Sequence, residues 1–373
     1  MASAEYYMKL ALGMAEMALG QTSPNPAVGC VIVKNGVIVG LGAHLQTGKE
    51  HAEVHALVQA GELAKGADVY ITLEPCAHQG RTPPCADLLI NQKVGRVYIA
   101  ALDPNPLVAG NGLAKLQQAG IPVELGICQA ESLRLNKYFM HYMKTKKPYV
   151  TLKTAVTIDG KTASYTGDSK WITSKQTRLD VHLYRHQHDA ILVGINTIMQ
   201  DNPRLTTRLP RGGKNPIRIV LDTNLRIPLD SHVVTDQKAA TWIVCGSNAP
   251  EEKQLALTQL GIKVKKMSND QINLSSLLVW LGKLEITSLL VEGGSTVLGS
   301  FLDAGCFQEL IFYVAPILLG GRQSYPSFAG IDKHQIADGR SLHFKSVGMI
   351  GPDIKIIAEP VKVGGEDSCL QES

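Results

Sequence analysis

Apolar and polar residues alternate along the first third of the chain in short blocks that predict strands and helices in turn. The opening segment, MASAEYYMKLALGMAEMALG, sets Glu5, Lys9 and Glu16 among apolar residues and predicts an amphipathic helix. Two β-branched runs, AVGCVIV and VIVGLG, flank Asn35-Gly36, a pair that predicts a hairpin between them. A helical pattern then runs through HAEVHALVQAG and ends at Gly61.

The remainder of the first half continues this alternation. Apolar runs predict buried strands at DVYITLE, RVYIAALD and IPVELG, with helices at ADLLINQKV and GLAKLQQAG between them. Strands buried on both faces and separated by helices predict an α/β sandwich with a mixed or parallel sheet. A further helix through LRLNKYFMHYMKTKKP ends in a basic stretch, so we expect a domain boundary near residues 145–149.

The second half begins the same pattern again and predicts a second α/β domain. Strands are expected at PYVTLKTAVTIDGKTA, AILVG, IRIVLD, TWIVCG, IKVKK, SLLVEGG and ELIFYVAP. Helices are expected at SKQTRLDVHLYRHQH, LLVWLGKLE and STVLGSFLDAG. The predicted domains are residues 1–146 and 147–365, followed by a short tail at 366–373.

Composition and charge exclude several classes of protein. The 37 basic and 33 acidic residues are mixed along the chain, which does not indicate a dedicated nucleic-acid binder. No apolar stretch approaches the roughly 20 residues of a membrane span, and the charged opening helix is not a signal peptide. Seven irregularly spaced cysteines argue for a reducing compartment, so we expect a cytoplasmic protein.

Three residues form a candidate zinc site. His51 opens a predicted helix, Cys76 follows a predicted strand within Glu74-Pro75-Cys76, and Cys85 comes after eight intervening residues. One imidazole and two thiolates suit Zn²⁺ and leave a fourth tetrahedral position for water, whose pKa the metal lowers towards neutrality. Three protein ligands therefore predict a catalytic site and not a closed structural one.

Glu53 is the candidate acid and base of that site, because it lies two residues beyond His51 and can face the open position without binding the metal. His-x-Glu followed by Pro-Cys is the arrangement of zinc nucleobase deaminases, although their two cysteines are usually closer together. His55 forms an i, i+4 pair with His51, but a metalloprotease helix requires glutamate directly after the first histidine. His55 is therefore expected to be a packed or supporting residue.

Longer segments give the chain a family resemblance. TLEPCAHQGRTPPC, SPNPAVGCVIV and GAHLQTGKEHAEVHA resemble the bifunctional deaminase/reductase of riboflavin biosynthesis, and the likeness covers nearly the whole chain. The resemblance implies a cytidine-deaminase-like α/β/α domain followed by a dihydrofolate-reductase-like α/β domain. It also implies zinc-dependent deamination of 2,5-diamino-6-(5-phosphoribosylamino)pyrimidin-4(3H)-one, and then NADPH-dependent reduction of the ribosyl chain of the product to ribityl.

The resemblance also assigns residues in the deaminase half. It implies that His51, Cys76 and Cys85 bind Zn²⁺ and that Glu53 transfers protons. Asn25 and His44 are expected at the pyrimidine, although Asn25 before Pro26 also suits an ordinary turn. Arg81 is expected at the ribose phosphate, with a solvated loop cation as the alternative.

In the second half the matching segments are LKTAVTIDGKTAS, TGDSKWIT, GINTIMQDNPRLTTR and LVEGGSTVLGS. The last predicts a strand, a Gly-Gly turn and a helix N-terminus, which suits a phosphate, although no Rossmann glycine fingerprint accompanies it. The resemblance implies NADPH contacts from Ala155, Trp171, Thr197, Asp201, Thr223, Gly294, Ser295, Thr296, Val297, Leu298, Gly299 and Ser300. It implies substrate contacts from Lys153, Ser169, Arg185, Leu205, Arg208 and Glu292.

Arg185 and Arg208 suit a phosphate clamp because a planar guanidinium matches phosphate oxygens; unpaired surface arginines are the alternative. Lys153 and Asp159 are both candidates for the proton donor in the reduction, and no partner for the 2′-phosphate of NADPH can be identified. A nucleoside or tRNA deaminase with an accessory binding domain is the alternative function. Members of the resembled family are homo-oligomers, which implies a dimer or tetramer that acts on small molecules, without nucleic acid or membrane.

Overall fold

The computed structural model describes residues 2–77, 84–105 and 109–361. The chain forms two compact units, Met1–Lys146 and Lys147–Ser373, which we call the N-terminal and C-terminal units. Within the described ranges, no helix is both long enough and apolar enough to cross a bilayer.

The N-terminal unit is built on a mixed five-stranded sheet in the order β2-β1-β3-β4-β5. Strand β1 is antiparallel to β2 and β3, whereas β3, β4 and β5 are parallel. The strands are β1 Gly29–Lys34, β2 Val37–Ala43, β3 Asp68–Ile71, β4 Arg96–Ile99 and β5 Val123–Leu125. The helices are α1 Ala4–Glu16, α2 Ala52–Ala60, α3 Cys85–Asn91, α4 Asn111–Gln118, α5 Gln129–Leu135 and α6 Lys137–Thr145, with a 3₁₀ turn at Gly61–Ala64.

Alternation along the strands makes this unit a three-layer sandwich. Cys30 and Ile32 of β1 point towards α2, α3 and α4, whereas Val31 and Val33 point towards α1. Helix α1 is amphipathic as predicted, and the Ser3 hydroxyl caps it by accepting a hydrogen bond from the amide of Tyr6. The sheet is therefore covered on both faces, which explains its nearly continuous apolar strands.

The segment LRLNKYFMHYMKTKKP is predicted as one helix, but in the structure it is divided between helices α5 and α6. The break falls at Asn136, whose side chain accepts a hydrogen bond from the amide of Ala27 at 2.8 Å and donates one to its carbonyl at 2.9 Å. Asn136 is buried, so this long-range pairing satisfies its amide. Because such pairing depends on a residue far away in sequence, helical periodicity alone did not reveal the break.

The C-terminal unit contains a nine-stranded sheet in the order β11-β10-β9-β8-β12-β6-β13-β16-β15. Its strands are β6 Tyr149–Thr157, β8 Ala190–Gly194, β9 Ile217–Leu221, β10 Thr241–Cys245, β11 Lys263–Lys266, β12 Ser288–Gly293, β13 Glu309–Ala315, β15 Leu342–Ile350 and β16 Asp353–Pro360. A small second sheet pairs β7 Lys161–Ala163 with β14 Tyr325–Pro326. The helices are α7 Lys175–Gln187, α8 Ile195–Asp201, α9 His232–Thr235, α10 Glu251–Gln259, α11 Leu274–Lys283 and α12 Ser295–Asp303, with a 3₁₀ turn at Ile336–Asp338.

The seven strands β11, β10, β9, β8, β12, β6 and β13, which are neighbours in this order, are all parallel. Strand β16 is antiparallel to β13 and forms an antiparallel hairpin with β15 at the edge of the sheet. The sequence analysis did not identify this hairpin, since much of β15 is exposed and lacks a buried apolar run. Parallel strands bring their carboxyl ends to the same edge, where ligands bind in open α/β sheets. The loops after β8, β9, β10, β11 and β12 therefore form one rim, which we call the carboxyl rim.

Candidate active sites

His51, Cys76 and Cys85 converge, with their candidate ligand atoms all within 4.8 Å of one another. His51 Nδ1 lies 3.3 Å from Cys85 Sγ and 3.6 Å from Cys76 Sγ. Among the described residues this is the only cluster of three or more histidine, cysteine or acidic side chains with such spacing. One imidazole nitrogen and two sulfurs at these separations fit a tetrahedral Zn²⁺.

Secondary structure brings these three residues together. His51 precedes the first residue of α2, Cys76 follows β3, and Cys85 begins α3. The Cys85 amide donates to the Cys76 sulfur at 3.3 Å. Hydrogen bonds from Cys85 and His51 lower the pKa of the Cys76 thiol, which favours its thiolate form.

Glu53 lies in the first turn of α2 and is only 3 % exposed. Burial raises the pKa of its carboxyl to about 7, although the nearby positive charge of His51 opposes the increase. A carboxyl group with this pKa can both hold and release a proton near neutral pH, as general acid and base catalysis requires.

Asn25 and His44 lie beside this cluster. The rings of His44 and His51 are 5.3 Å apart, edge to face. Asn25 Nδ2 donates to His44 Nε2 at 3.3 Å, and His44 Nδ1 donates to the carbonyl of Glu50 at 3.1 Å. Burial lowers the pKa of His44, which favours the neutral ring that this pair of contacts requires. The arrangement presents an amide and an imidazole next to the three candidate ligands.

Glu74 also supports the site, a role that the sequence analysis did not assign. Its buried carboxylate accepts hydrogen bonds from four backbone amides, those of Asp103, Gly110, Gly112 and Leu113, at 2.9 to 3.3 Å. The segment that leads to Cys76 is thereby tied to the start of α4. The only signal in the sequence is the position of Glu74 next to Pro75-Cys76. Arg81, predicted at the ribose phosphate, lies outside the described residues.

The C-terminal unit contains a buried cluster of charges around Glu292 on β12. Arg185 Nε and Nη2 donate to the two Glu292 oxygens at 2.6 and 2.8 Å, and Lys153 Nζ is 3.6 Å from Oε2. Although burial opposes it, the positive charges of Arg185 and Lys153 lower the pKa of Glu292 to about 2. Because Glu292 occupies one fork of the Arg185 guanidinium, that fork is unavailable for the predicted phosphate clamp.

Two further basic residues, Arg208 and His182, belong to this cluster. Arg208 Nη1 donates to the hydroxyl of Thr206 at 3.3 Å. Burial, and to a smaller extent the positive charge of Arg185, lowers the pKa of Arg208. His182, which sequence analysis missed, has a buried Nδ1 without a partner among the described residues. Burial and the charges of Arg185 and Arg208 lower the pKa of His182 to about 4. Leu205, which lies in the segment between α8 and β9, is 3 % exposed and has a φ of 51°.

The predicted Gly-Gly turn lies on the carboxyl rim. β12 ends at Gly293, Gly294 has a φ of 62°, and α12 begins at Ser295, as VEGGSTVLGS predicted. A Cβ atom on Gly294 would lie 3.6 Å from Oγ1 of Thr197, so the first turns of α8 and α12 meet there. The residues predicted from Gly294 to Ser300 thus form the turn and the first part of α12, where free amides favour an anion.

The other predicted reductase residues lie on several elements of the C-terminal unit. Thr197 and Asp201 are four residues apart on α8 and therefore share one helix face, and Thr223 follows β9 on the carboxyl rim. Ala155 lies on β6, two residues beyond Lys153. Ser169 and Trp171 lie in the loop before α7, where the Arg178 guanidinium stacks 4.5 Å from the centre of the exposed Trp171 ring.

Asp159 has a different environment from Lys153. Its carboxylate accepts hydrogen bonds from the Thr157 hydroxyl at 2.7 Å and from the amides of Leu319 and Gly320 at 3.1 and 2.7 Å. These contacts lower the pKa of Asp159 to about 2. Asp159 therefore acts as an ionised acceptor that fastens the Leu319-Gly320 loop to the end of β6.

Comparisons with known proteins agree with this geometry. Residues 1–101 match the cytidine and deoxycytidylate deaminase zinc-binding region, and residues 148–356 match the RibD C-terminal domain. Riboflavin biosynthesis protein RibD of Bacillus amyloliquefaciens is 51% identical over 95% of this chain and 96% of its own length. The chain belongs to the RibD family. RibD of Escherichia coli is 44% identical over 94% of this chain and 97% of its own.

Two solved structures extend the RibD comparison to the fold. RibD from Acinetobacter baumannii has a TM-score of 0.88 with 39% identity, and covers 96% of this chain and 99% of its own. The diaminohydroxyphosphoribosylaminopyrimidine deaminase/5-amino-6-(5-phosphoribosylamino)uracil reductase from Thermotoga maritima has a TM-score of 0.86 with 34% identity, and covers 96% of this chain and 98% of its own. The predicted fold class, a cytidine-deaminase-like domain followed by a dihydrofolate-reductase-like domain, is confirmed.

As a RibD family member, the chain is a bifunctional deaminase and reductase of riboflavin biosynthesis that acts on small pyrimidines, with Zn²⁺ and NADPH as cofactors. The predicted function is therefore confirmed. A nucleoside or tRNA deaminase with an accessory binding domain is not favoured, because it does not explain the RibD match of residues 148–356.

Proposed function

We propose that the N-terminal unit deaminates 2,5-diamino-6-(5-phosphoribosylamino)pyrimidin-4(3H)-one, with His51, Cys76 and Cys85 holding Zn²⁺. The observation that carries this assignment is the convergence of one imidazole and two thiol groups within 4.8 Å. When bound, Zn²⁺ acts as a Lewis acid that lowers the pKa of water at the position its protein ligands leave open. The remaining chemistry belongs to the chain's own side chains.

Glu53 is the proton carrier in this proposal. Its pKa of about 7 allows the carboxylate to accept a proton from water and the carboxylic acid to deliver it to the ring nitrogen. The same group can then carry a second proton, from the hydroxyl added to the ring carbon, to the departing ammonia. Asn25 and the neutral His44 support recognition of the pyrimidine edge, because together they offer amide and imidazole groups beside His51. Arg81 is proposed at the ribose phosphate from the family resemblance.

In the C-terminal unit, which contains the predicted reductase domain at residues 147–365, we propose that the ribosyl chain of 5-amino-6-(5-phosphoribosylamino)uracil meets the cluster around Glu292. Lys153 is the better candidate for the proton donor, because burial lowers the pKa of its ammonium group and makes the proton easier to release. Asp159 is a poorer candidate, because three hydrogen bonds hold it ionised, without a proton to donate. Arg208 is the phosphate contact and Arg185 positions Glu292. Leu205 and Ser169 complete the proposed substrate contacts.

The proposed NADPH site follows the carboxyl rim. The segment from Gly294 to Ser300 suits the pyrophosphate through the amides of its turn and of the first turn of α12, with Thr197, Asp201, Thr223, Ala155 and Trp171 as further contacts. NADPH bound there would supply the hydride for the reduction at C1′, and these residues would align it with the substrate. We also propose a homo-oligomeric protein that works in the cytoplasm, where its free cysteines would remain reduced. The predicted tail at 366–373 lies outside the described residues.

The substitution Glu53→Gln tests the deaminase mechanism. It keeps the size of the side chain but removes proton transfer, so we expect ammonia release to fall by about 10²- to 10⁴-fold while bound zinc is retained. NADPH oxidation with the deaminated product is expected to be unchanged. Zinc content is measured by elemental analysis, ammonia and NADPH by coupled assays, and wild-type protein treated with a chelator serves as the zinc-free control. A rate of ammonia release from Glu53→Gln equal to that of wild type would contradict the role of Glu53.

A further inference from the structure

A polar cavity of about 320 Å³ lies at the carboxyl rim, in the loops that follow β9, β10 and β11. It is lined by Thr223, Asn224, Arg226, Asn248, Asp270 and Gln271. Only Thr223 among these is assigned to the cofactor by the family resemblance. The volume falls at the small end of the range of about 300 to 1,000 Å³ for ligand pockets, which suits one part of a dinucleotide.

Backbone contacts hold the three loops against one another. The Gly246 amide donates to the Thr223 carbonyl at 2.9 Å, and the Ser247 amide donates to the Asn269 carbonyl at 3.0 Å. Gly246 is required at this approach, because a Cβ atom there would lie 2.2 Å from the carbonyl oxygen of Asp270. The cavity walls are therefore packed together and do not arise from separate loops in solvent.

The loop after β9 presents Arg226 outward on a fixed backbone. The buried carboxylate of Asp222 accepts a hydrogen bond from the Ile227 amide at 2.8 Å, and the Leu225 amide donates to the Asp222 carbonyl at 3.1 Å. Leu225 is 4 % exposed and anchors the loop in the core, whereas Arg226 is exposed. This alternation directs the guanidinium to the cavity that it lines.

Arg226 is the only cationic side chain that lines the cavity. Within the described part of the chain no carboxylate lies at ion-pair distance from it, and the acidic lining residue Asp270 instead accepts a hydrogen bond from the Ser247 hydroxyl. Nη2 of Arg226 donates to the Asn196 side chain at 3.0 Å. Asn196 precedes Thr197, whose hydroxyl faces the Gly293-Gly294 turn, so a continuous line of residues joins the turn to Arg226.

We propose that this cavity binds the adenosine 2′-phosphate end of NADPH and that Arg226 selects NADPH over NADH by pairing with that phosphate. The proposal rests on the NADPH site proposed above, with the pyrophosphate at the start of α12. The adenosine end then extends along the rim past Thr197 to Arg226, away from the buried Glu292 cluster. A guanidinium matches phosphate oxygens bidentately, and NADH has no phosphate at this position.

Steady-state kinetics of the full-length Arg226→Gln variant test this selection. A lost charge-assisted contact is expected to raise the KM for NADPH by about 10- to 100-fold, while the KM for NADH stays within a factor of about two of wild type. Arg226→Lys is expected to recover part of the NADPH affinity. Arg340→Gln, an exposed arginine of the same unit away from the cavity, is the matched control and is expected to leave both constants unchanged.

Calorimetric titration with adenosine 2′,5′-bisphosphate and with adenosine 5′-monophosphate separates cavity binding from catalysis. The wild type is expected to bind the bisphosphate more tightly, and Arg226→Gln is expected to abolish that difference. Equal KM increases for NADPH and NADH, or an unchanged preference for the bisphosphate in Arg226→Gln, would overturn the assignment. If the wild type oxidised neither cofactor yet still preferred the bisphosphate, the reductase proposal would fail while the phosphate site stood.

Discussion

At the residue scale, both units contain ionisable side chains whose pKa values are shifted by burial and by neighbouring charges. Glu53 and Glu292 are both glutamates buried to similar degrees, but their pKa values move in opposite directions, to about 7 and about 2. Burial dominates for Glu53, whereas Arg185 and Lys153 outweigh burial for Glu292. The same residue type therefore suits proton transfer in one unit and fixed negative charge in the other.

His182 makes the stability of the C-terminal unit depend on pH. Its pKa is lowered to about 4 by burial and by Arg185 and Arg208, so the folded state keeps the ring neutral while the unfolded chain protonates it near 6.5. The unfolded state thus binds more protons between pH 6.5 and 4, and the stabilising contribution is lost as pH falls through this window.

We therefore expect His182→Gln to lose less stability than wild type when the pH is lowered from 7 to 4.5. Urea unfolding at both pH values measures the difference. His334→Gln is the control, because His334 is an exposed histidine of the same unit. If the free energy of unfolding of His182→Gln fell between the two pH values as much as that of wild type, another group would account for the pH dependence.

At the element scale, close contact between β2 and α2 places the candidate zinc ligand and the proton carrier. A Cβ atom on Gly42 would lie 2.0 Å from the carbonyl oxygen of Ala52, and one on Gly40 would lie 2.2 Å from that of Ala56. The helix that follows His51 and contains Glu53 can approach the strand this closely only because these positions lack a side chain.

Gly42→Ala is therefore expected to displace the start of α2, and to reduce zinc content and deaminase activity by about tenfold or more, given the sensitivity of catalysis to small displacements. Gly13→Ala on α1 is the matched control, since an added Cβ there meets no atom within 4 Å. The control is expected to be stabilised by about 0.5 to 1 kcal/mol, because alanine favours a helix interior. Equal deaminase activities of the two variants would contradict the packing argument.

At the scale of the whole molecule, two compact units carry two different chemistries. The candidate deaminase residues all fall within Met1–Lys146 and the candidate reductase residues within Lys147–Ser373. The contacts described above for each cluster join residues of one unit, His51 with Cys76 and Cys85 in the first and Glu292 with Arg185 and Lys153 in the second.

A mixture of Glu53→Gln and Glu292→Gln proteins is therefore expected to convert the diaminopyrimidine ribotide fully, although neither variant does so alone. The first protein supplies the reductase and the second the deaminase, and the intermediate passes between them through solution. Chromatography of the products measures the conversion, with each variant alone as the control. A mixture that stops at the deaminated intermediate or at the substrate would show that the two activities are not independent.

Much of the fold could be predicted from the chain because local signals agreed with the tertiary structure. The Asn35-Gly36 hairpin, the VEGGSTVLGS strand, turn and helix, and most apolar strands lie where their patterns indicated. The break at Asn136 and the hairpin of β15 and β16 were not predicted. Each depends on residues distant in sequence, either the Ala27 partner or the neighbouring β13, and periodicity does not contain that information.

The sequence by itself determined the two α/β domains, the metal-binding residue types and the identity of Glu53 as proton carrier candidate, because spacing and residue chemistry are local properties. Only the tertiary structure decided which groups share a pKa environment: that Arg185 pairs with Glu292, that Asp159 is fastened to Leu319 and Gly320, and that His182 lies uncharged among cations. The physical reason is that burial and charge act through space. A chain specifies them only once its strands are in register and its loops meet.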